Sequence, residues 1–552
     1  MEYEIVGNGC DGMDGRKNGG KYVVTYDVGT TAVKTCIFKL EEQIKRVAQA
    51  EMSYPLQILD NGGVEQNPKD WWQAIAATTK QLIRQAEIAT DQIAGLSFCS
   101  QMQGLVLVDQ AGEAVRPSMS YMDQRAGKQL KKGLAFGVQI AGCNIYRLLK
   151  SLFLTKAVAA SVKDPVWKYK WVEEHEPEIY ERIHKWLDVK EYLILKCTGN
   201  FIMTSDTAFA TLLYDTRKGK GCFSKSMCKM FGVNYDHLPS IIASTDKAGE
   251  LTWEAAQQLG LPEGTPVFGG GGDASLIGVG AGAIAEGKTH IYSGTSGWVS
   301  TVVNRPMVDT SAMIAAVVGA NPGYYNYFSE LETAGKCLEW VKDHLALDEI
   351  DIYLEKKKVS ETHEAVYTSL YDYMMHVIKK IPPGSNGVIF TPWLHGNRCP
   401  FEDSNVRGMF FNIGLETGKT ELIRSVLEGV CYHLRWMLEA QERKIKTSKA
   451  IRYVGGGALS ALACQILADI LGHPIETVDY PQDVGAMGAA IVTAVGLGYI
   501  RTLEEAEAFI PISATYYPIP ENKKIYDKCF EVFRELYKKN KRNFFIMNQA
   551  IN

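Results

Sequence analysis

No two of the twelve cysteines stand in a Cys-x-x-Cys pair, which argues against a zinc site or a disulfide frame and for reduced thiols in a cytosolic protein. Long runs of one charge are missing too. Lys and Arg number 59 against 63 Asp and Glu, a formal net of -4, and the single basic cluster, KKNKRNFF at 538–545, reads as a solvated helix end. No nucleic-acid partner is expected. Residues 1–20 contain six glycines and no apolar run of signal-peptide length, so they read as a flexible N-terminal extension. The longest weakly polar stretch, 484–500, has 17 residues and four glycines and suits a buried helix better than a membrane span. The expectation is a cytoplasmic protein without a membrane partner.

What is present is ample core-forming sequence. The chain has 552 residues, 46% of them hydrophobic, enough for several packed units at about 150 residues each. KYVVTYDVGTTAVKTCIFKL (21–40) reads as two strands around a Gly-Thr-Thr turn, and KTHIYSGTSGWVSTVV (288–303) repeats the design around Gly-Thr-Ser. Two such hairpins predict two related lobes facing each other. Glycine lets backbone N–H groups approach an anion, and Thr or Ser hydroxyls add short donors, so both turns suit a phosphate chain. Asp27, present only in the first, suits Mg²⁺, which takes oxygen ligands and keeps several waters.

Two more glycine clusters follow in the second half. IRYVGGGALSALACQILADILGHPI (451–475) reads as a strand, the triplet Gly455, Gly456 and Gly457, and a helix with Leu459, Leu462, Ile466 and Ile470 on its apolar face. Such a turn offers free N–H groups to a nucleotide, with close helix packing as the alternative. DVGAMGAAI (483–491) adds a turn at Gly485, and together the two are read as flanking an adenosine. In GGGGDASLIGVGAG (269–282), Asp273 is a lone carboxylate among small and apolar neighbours. It reads either as a helix cap or as a base in a dry cleft.

DPVWKYKWVEEHEPEIY (164–180) has Pro165, Lys168, Trp171 and Glu174-His175 at the spacing of one family signature, and TPWLHGNRCP with RGMFFNIGLETGKTELIRSVLEGV (391–430) matches a second. On these motifs the chain, from about residue 21 to about 535, resembles the FGGY carbohydrate kinases, xylulose kinases above all, within the sugar kinase, actin and heat-shock ATPase superfamily. The resemblance implies an α/β protein: two lobes of the actin-like ATPase (ribonuclease H-like) fold with an interlobe cleft. It places the sugar site and first phosphate motif in 21–284, and the second phosphate motif and adenosine site in 285–552. ATP and Mg²⁺ are implied, and a small sugar as the partner; a homodimer is compatible with the family.

Carried over by position, Asp27, Gly29, Thr30 and Thr31 match the first phosphate motif, Gly294, Thr295 and Ser296 the second, and Gly455 to Gly457 the adenosine motif; Lys34 is a further phosphate candidate. Asp273 falls on the catalytic aspartate. SYMDQRA (120–126) resembles the family's Trp-x-Asp-x-Arg, which puts Asp123 and Arg125 at the sugar together with Met102 and Gln103. A surface ion pair is the plainer reading of Asp123 and Arg125. Three residues depart from the xylulose kinase pattern: Gln103 replaces His, Ala274 replaces Asn after the catalytic Asp, and Asn397 replaces Glu. The first two change which sugar hydroxyls find partners. The expected activity is therefore phosphorylation of a ketose such as D-xylulose, or of another ketose or polyol. A nucleotide-driven ATPase switch and a catalytically weak sugar sensor stand as alternatives. The charged segment 341–384 reads as a solvated helical insertion.

Overall fold

The computed structural model describes residues 21–345 and 370–548; the N-terminal extension expected at 1–20 and the middle of the charged segment lie outside the described residues. The first hairpin folds as the sequence predicts, with β1 (Tyr22–Val28) and β2 (Ala32–Leu40) antiparallel around residues 29–31. Side chains alternate between two cores: Val24, Tyr26, Val28, Val33 and Ile37 enter one, while Val23, Cys36 and Phe38 enter the other. β3 (Ile44–Ser53) pairs with β2, and α1 (Pro68–Gln85) covers one face. Asn67 caps α1 by accepting the Lys69 N–H, and Pro68, which has no N–H to lose, starts it.

β4 (Ile93–Ser100) lies parallel to β1 on its other side. A long excursion follows, carrying α2 (Pro165–His175) and α3 (Ser205–Ala210) and packing around Trp167, Tyr169 and Trp186. The chain then returns to the sheet through β5 (Lys247–Glu250), β6 (Pro266–Phe268) and the two-residue β7 (Gly271–Gly272), and enters α4 (Asp273–Gly280). The sheet order is β5-β6-β4-β1-β2-β3, with β7 also on β4.

The second half repeats this plan. β8 (Thr289–Ser293) and β9 (Gly297–Val303) form its hairpin, followed by β10 (Val308–Asp309), β11 (Ile314–Val318) and β12 (Tyr325–Leu331). After α5 (Gly335–Leu345), α6 (Leu370–Ile378) and the long α7 (Lys419–Glu442) come β13 (Ile451–Val454), α8 (Ala461–Leu471), β14 (Ile475–Val478), α9 (Val484–Gly496), β15 (Ile512–Tyr516) and α10 (Lys523–Asn548). The order β10-β11-β12-β9-β8-β13-β14-β15 has β13 parallel to β8, as β4 is to β1. Each sheet thus has a hairpin, an antiparallel strand beyond it and a parallel strand on the inner side. This is the two-domain α/β architecture with related halves.

Two expectations are corrected. Segment 341–384 is not simply solvated, because Val341 on α5 and Met374 and Ile378 on α6 are fully buried in a core of the second half, with Trp393 and Tyr432. The glycine triplet does not lead straight into the α-helix either: Gly456 and Gly457 belong to a 3₁₀ turn (Gly456–Leu459), Leu459 is 61% exposed, and α8 starts only after its cap, Ser460.

One helix joins the halves. α9 follows β14 of the second sheet, yet it packs against α4 and the first sheet, so that Val23, Cys36, Phe38, Leu276, Ile491 and Val454 share one apolar core. A Cβ on Gly488 would lie 2.1 Å from the Leu276 carbonyl oxygen, so the helices touch backbone to backbone. No helix among the described residues is long and apolar enough to cross a membrane.

Candidate active site

The parallel strands β1, β4 and β7 end side by side, and Asp273 follows the last of them. The glycines before it fit the chain into a tight passage. Gly270 adopts φ +64°, a left-handed value that a side chain resists, and a Cβ there would lie 2.1 Å from the Phe98 carbonyl oxygen. A Cβ on Gly272 would lie 2.1 Å from Met102 Sδ, so Met102 packs directly on the backbone that presents Asp273. Asp206, buried on α3, accepts the Gly272 N–H at 2.8 Å and holds the passage in place.

The helix-cap position belongs to Gly272, and Asp273 is the first helical residue. Its carboxylate accepts the Ala274 N–H at 2.8 Å. Burial raises its pKa to about 7, opposed by that hydrogen bond and reinforced by the charges of Asp27, Glu330 and Asp206. The group therefore changes protonation state near neutral pH.

The two hydroxyl-rich turns come from the two halves. Gly29, Thr30 and Thr31 link β1 to β2, with Thr31 exposed, and the Tyr54 hydroxyl donates to the Gly29 carbonyl at 2.6 Å. Gly294, Thr295 and Ser296 link β8 to β9, with Thr295 exposed, and the α5 amides of Gly335 and Lys336 donate to the carbonyls of Gly294 and Thr295. Asp27 is half-buried at the end of β1. Burial lifts it to about 6, while Lys34 and the Cys99 thiol pull the other way.

Lys34 reaches the Gln482 carbonyl at 3.2 Å and Asp483 at 3.7 Å, so its ammonium is already engaged. Gly485 stands against Asp27: a Cβ there would lie 2.6 Å from Asp27 Oδ2. The structure thus groups Gly485 with Asp27. The Gly455–Gly457 turn abuts the end of β8, where a Gly455 Cβ would meet the Ser293 carbonyl oxygen at 2.6 Å, and its Gly455 N–H donates to the Pro481 carbonyl.

The expected sugar residues divide into two sets. Met102 and Gln103 lie on the loop after β4, where Met102 packs on Gly272 and Gln103 has φ +63°. Asp123 is fully buried behind that loop, and its carboxylate is occupied: it accepts the Val64 N–H at 2.9 Å and the Arg125 guanidinium at 2.6 and 3.0 Å. Arg125 also holds Glu65 at 2.6 Å and stacks over Trp171. Asp123 and Arg125 are thus tied to each other, to the Val64 amide and to Glu65.

Sequence reasoning missed the group that ties these two loops together. Lys168 on α2, fully buried, donates to the Gln103 carbonyl at 2.6 Å and the Ser120 carbonyl at 2.9 Å, and so pins both loops with one ammonium. Burial lowers its pKa to about 8, with Asp188, Asp123 and Asp164 opposing. Its place in the 164–180 motif was the available signal. Tyr292, stacked on Trp298 at 4.1 Å, was also missed; burial and the charges of Asp27 and Asp273 push its hydroxyl pKa up. Nothing local marks Asp206.

Comparison with known proteins agrees with this layout. The pattern described as FGGY family of carbohydrate kinases, N-terminal domain, matches residues 22–280, and the C-terminal domain pattern of the same family matches 290–497. The xylulose kinase of Bacillus subtilis (strain 168) is 30% identical, covering 94% of this chain and 97% of its own; the gluconokinase of the same organism is 26% identical, covering 93% and 95%. The ligand-bound xylulose kinase structure from Lactobacillus acidophilus superposes with a TM-score of 0.81 at 24% identity, over 95% of this chain and 99% of that one, which shows the shared fold. With both family patterns matched in order over two halves of one design, the chain belongs to the FGGY family of carbohydrate kinases.

Proposed function

We propose that the protein transfers the γ-phosphoryl group of ATP to a hydroxyl of a neutral ketose or polyol, D-xylulose being the first substrate to test, with Asp273 as the general base. The carrying observation is Asp273 itself, presented beside Met102 and poised to titrate near pH 7. A sugar hydroxyl is a weak nucleophile, and a base whose pKa lies near working pH removes its proton most effectively. Asp206 and the close-packed glycines fix the direction of approach, and the apolar continuation of α4 holds the carboxylate on a rigid element.

A neutral sugar suits the cleft better than an aldonate such as gluconate. Asp273 feels the negative charges of Asp27, Glu330 and Asp206, and the nearby cation Arg398 is already held by Glu330 at 2.7 Å and Glu332 at 2.6 Å. A substrate carboxylate would meet repulsion, and Arg398 is not free to offset it.

The hydroxyls of Thr30, Thr31, Thr295 and Ser296 fit a triphosphate, the Gly29 and Gly294 amides being used to close the turns on the Ala32 and Ser296 carbonyls, and the side of Gly455–Gly457 fits its adenosine. Among the described residues no three His, Cys, Asp or Glu side chains are placed to hold a metal on their own. Mg²⁺ does not need such a set when phosphates supply most of its ligands, and the single carboxylate of Asp27 fits that mode. When bound, the ion would offset charge on the phosphates.

The test is ADP release from Mg-ATP with a panel of ketoses, polyols and gluconate, for the native protein and Asp273→Asn. The expected outcome is stimulation by a neutral sugar, reduced by about 10² to 10⁴ in the variant at unchanged melting temperature. Sugar-independent ADP release, equal in both proteins, would overturn the reading in favour of an ATPase switch.

A further inference from the structure

The register of the first sheet puts Val28 beside Ser100, and Ser100 beside Gly272. The next residues along these three parallel strands, Gly29, Gln101 and Asp273, therefore stand in one row at the carboxyl ends, where ligands of parallel sheets bind. Gly29 opens the phosphate turn and Asp273 is the proposed base. Gln101 lies between them, and no role has yet been given to it.

Gln101 is only 6% exposed, and its amide belongs to a chain whose direction is fixed. The Thr30 carbonyl can only accept, so the Gln66 Nε2 that meets it at 2.7 Å is the donor end of Gln66. Gln66 Oε1 then accepts from Gln101 Nε2 at 2.8 Å. Gln101 Oε1 is left at the far end, buried and without a hydrogen-bond partner. Gln66, at 2% exposure, is sealed into the same chain. A buried acceptor without a donor is costly, and one at the row between the phosphate turn and the base is suited to a ligand hydroxyl.

We propose that Gln101 is a sugar-contacting residue whose Oε1 accepts a hydrogen bond from a substrate hydroxyl, and that the chain Thr30–Gln66–Gln101 ties the sugar pocket to the phosphate turn. This rests on the sugar kinase reading above. Sugar binding orients the Gln101 amide, Gln101 orients Gln66, and Gln66 holds the Thr30 carbonyl. The turn that would receive the triphosphate is thereby held firmest when a hydroxyl acceptor for the phosphoryl group is in place.

The test uses the full chain, with D-xylulose and the most stimulating sugar of the panel as probes, and compares Gln101→Leu, Gln66→Leu and the native protein by steady-state kinetics and thermal melts. Gln101→Leu is expected to raise the sugar KM about 5- to 150-fold, the range for a buried hydroxyl left without a partner, with the ATP KM moving less than about threefold. Gln66→Leu is expected to raise both KM values, because it releases Gln101 on one side and Thr30 on the other. If the native protein responds to sugar while both variants keep native KM values and melt at or above the native temperature, the unpaired acceptor is purely structural and the inference is overturned. If no sugar stimulates the native protein, the kinase reading fails first and the inference falls with it. Should Gln101→Leu not fold, Gln66→Leu decides by the same readings.

Discussion

Burial raises the pKa of both Asp273 and Asp27, to about 7 and about 6, and the charge of Asp27 adds to the rise at Asp273. Each acts as a carboxylate in the proposed reaction, so activity is lost as pH falls. The logarithm of kcat/KM should decline with a slope of one below about pH 7 as Asp273 takes up its proton, a profile measured with saturating Mg-ATP and limiting sugar. Residual activity of Asp273→Asn should lack the break near 7. At this scale the sequence was readable where the signal was local: four glycines before an aspartate in an apolar setting mark a constrained carboxylate. Asp123 was not readable, because Asp-x-Arg looks the same whether it faces solvent or is sealed against the Val64 amide, 59 residues away in the chain.

The element that controls where Asp273 points is α4, and α4 is positioned by α9. Their contact is so close that a methyl group at Gly488 would have to displace the Leu276 carbonyl, 2.1 Å away. Gly488→Ala should destabilise the protein by about 1–3 kcal/mol, the cost of overpacking a filled interior, and should lower kcat as α4 shifts. Thermal unfolding followed by single-turnover kinetics checks both. Hairpins, turns and the apolar character of α9 could be read from sequence because they depend on neighbours in the chain. The partner of α9 could not, since an all-apolar helix carries no stripe that names its contact. The triplet after β13 misled for a related reason: strand, glycines and an apolar run look alike whether or not a 3₁₀ turn and the Ser460 cap intervene.

Across the whole molecule, the Asp483 side chain at the start of α9 is 1% exposed and is met by Arg46 of β3 and, at 3.7 Å, by Lys34 of β2. Arg46 also stacks on Tyr480 at 3.6 Å from the ring centre. This latch fastens the edge of the first sheet to the segment arriving from the second. Arg46→Ala leaves a buried carboxylate with only Lys34 beside it and should cost about 1–3 kcal/mol, less than for a fully sealed pair because Lys34 remains. Adding Asp483→Asn should recover most of that loss, and denaturant unfolding of the single and double variants measures it.

The same crossing has a consequence in time. The surface formed by Val23, Cys36 and Phe38 is complete early in synthesis, but the helix that covers it begins at Val484, about 200 residues after α4 ends at Gly280. At about 5–20 residues per second a ribosome needs roughly 10–40 s to make that stretch. For that interval the nascent first half carries an open apolar face, which closes only when α9 emerges.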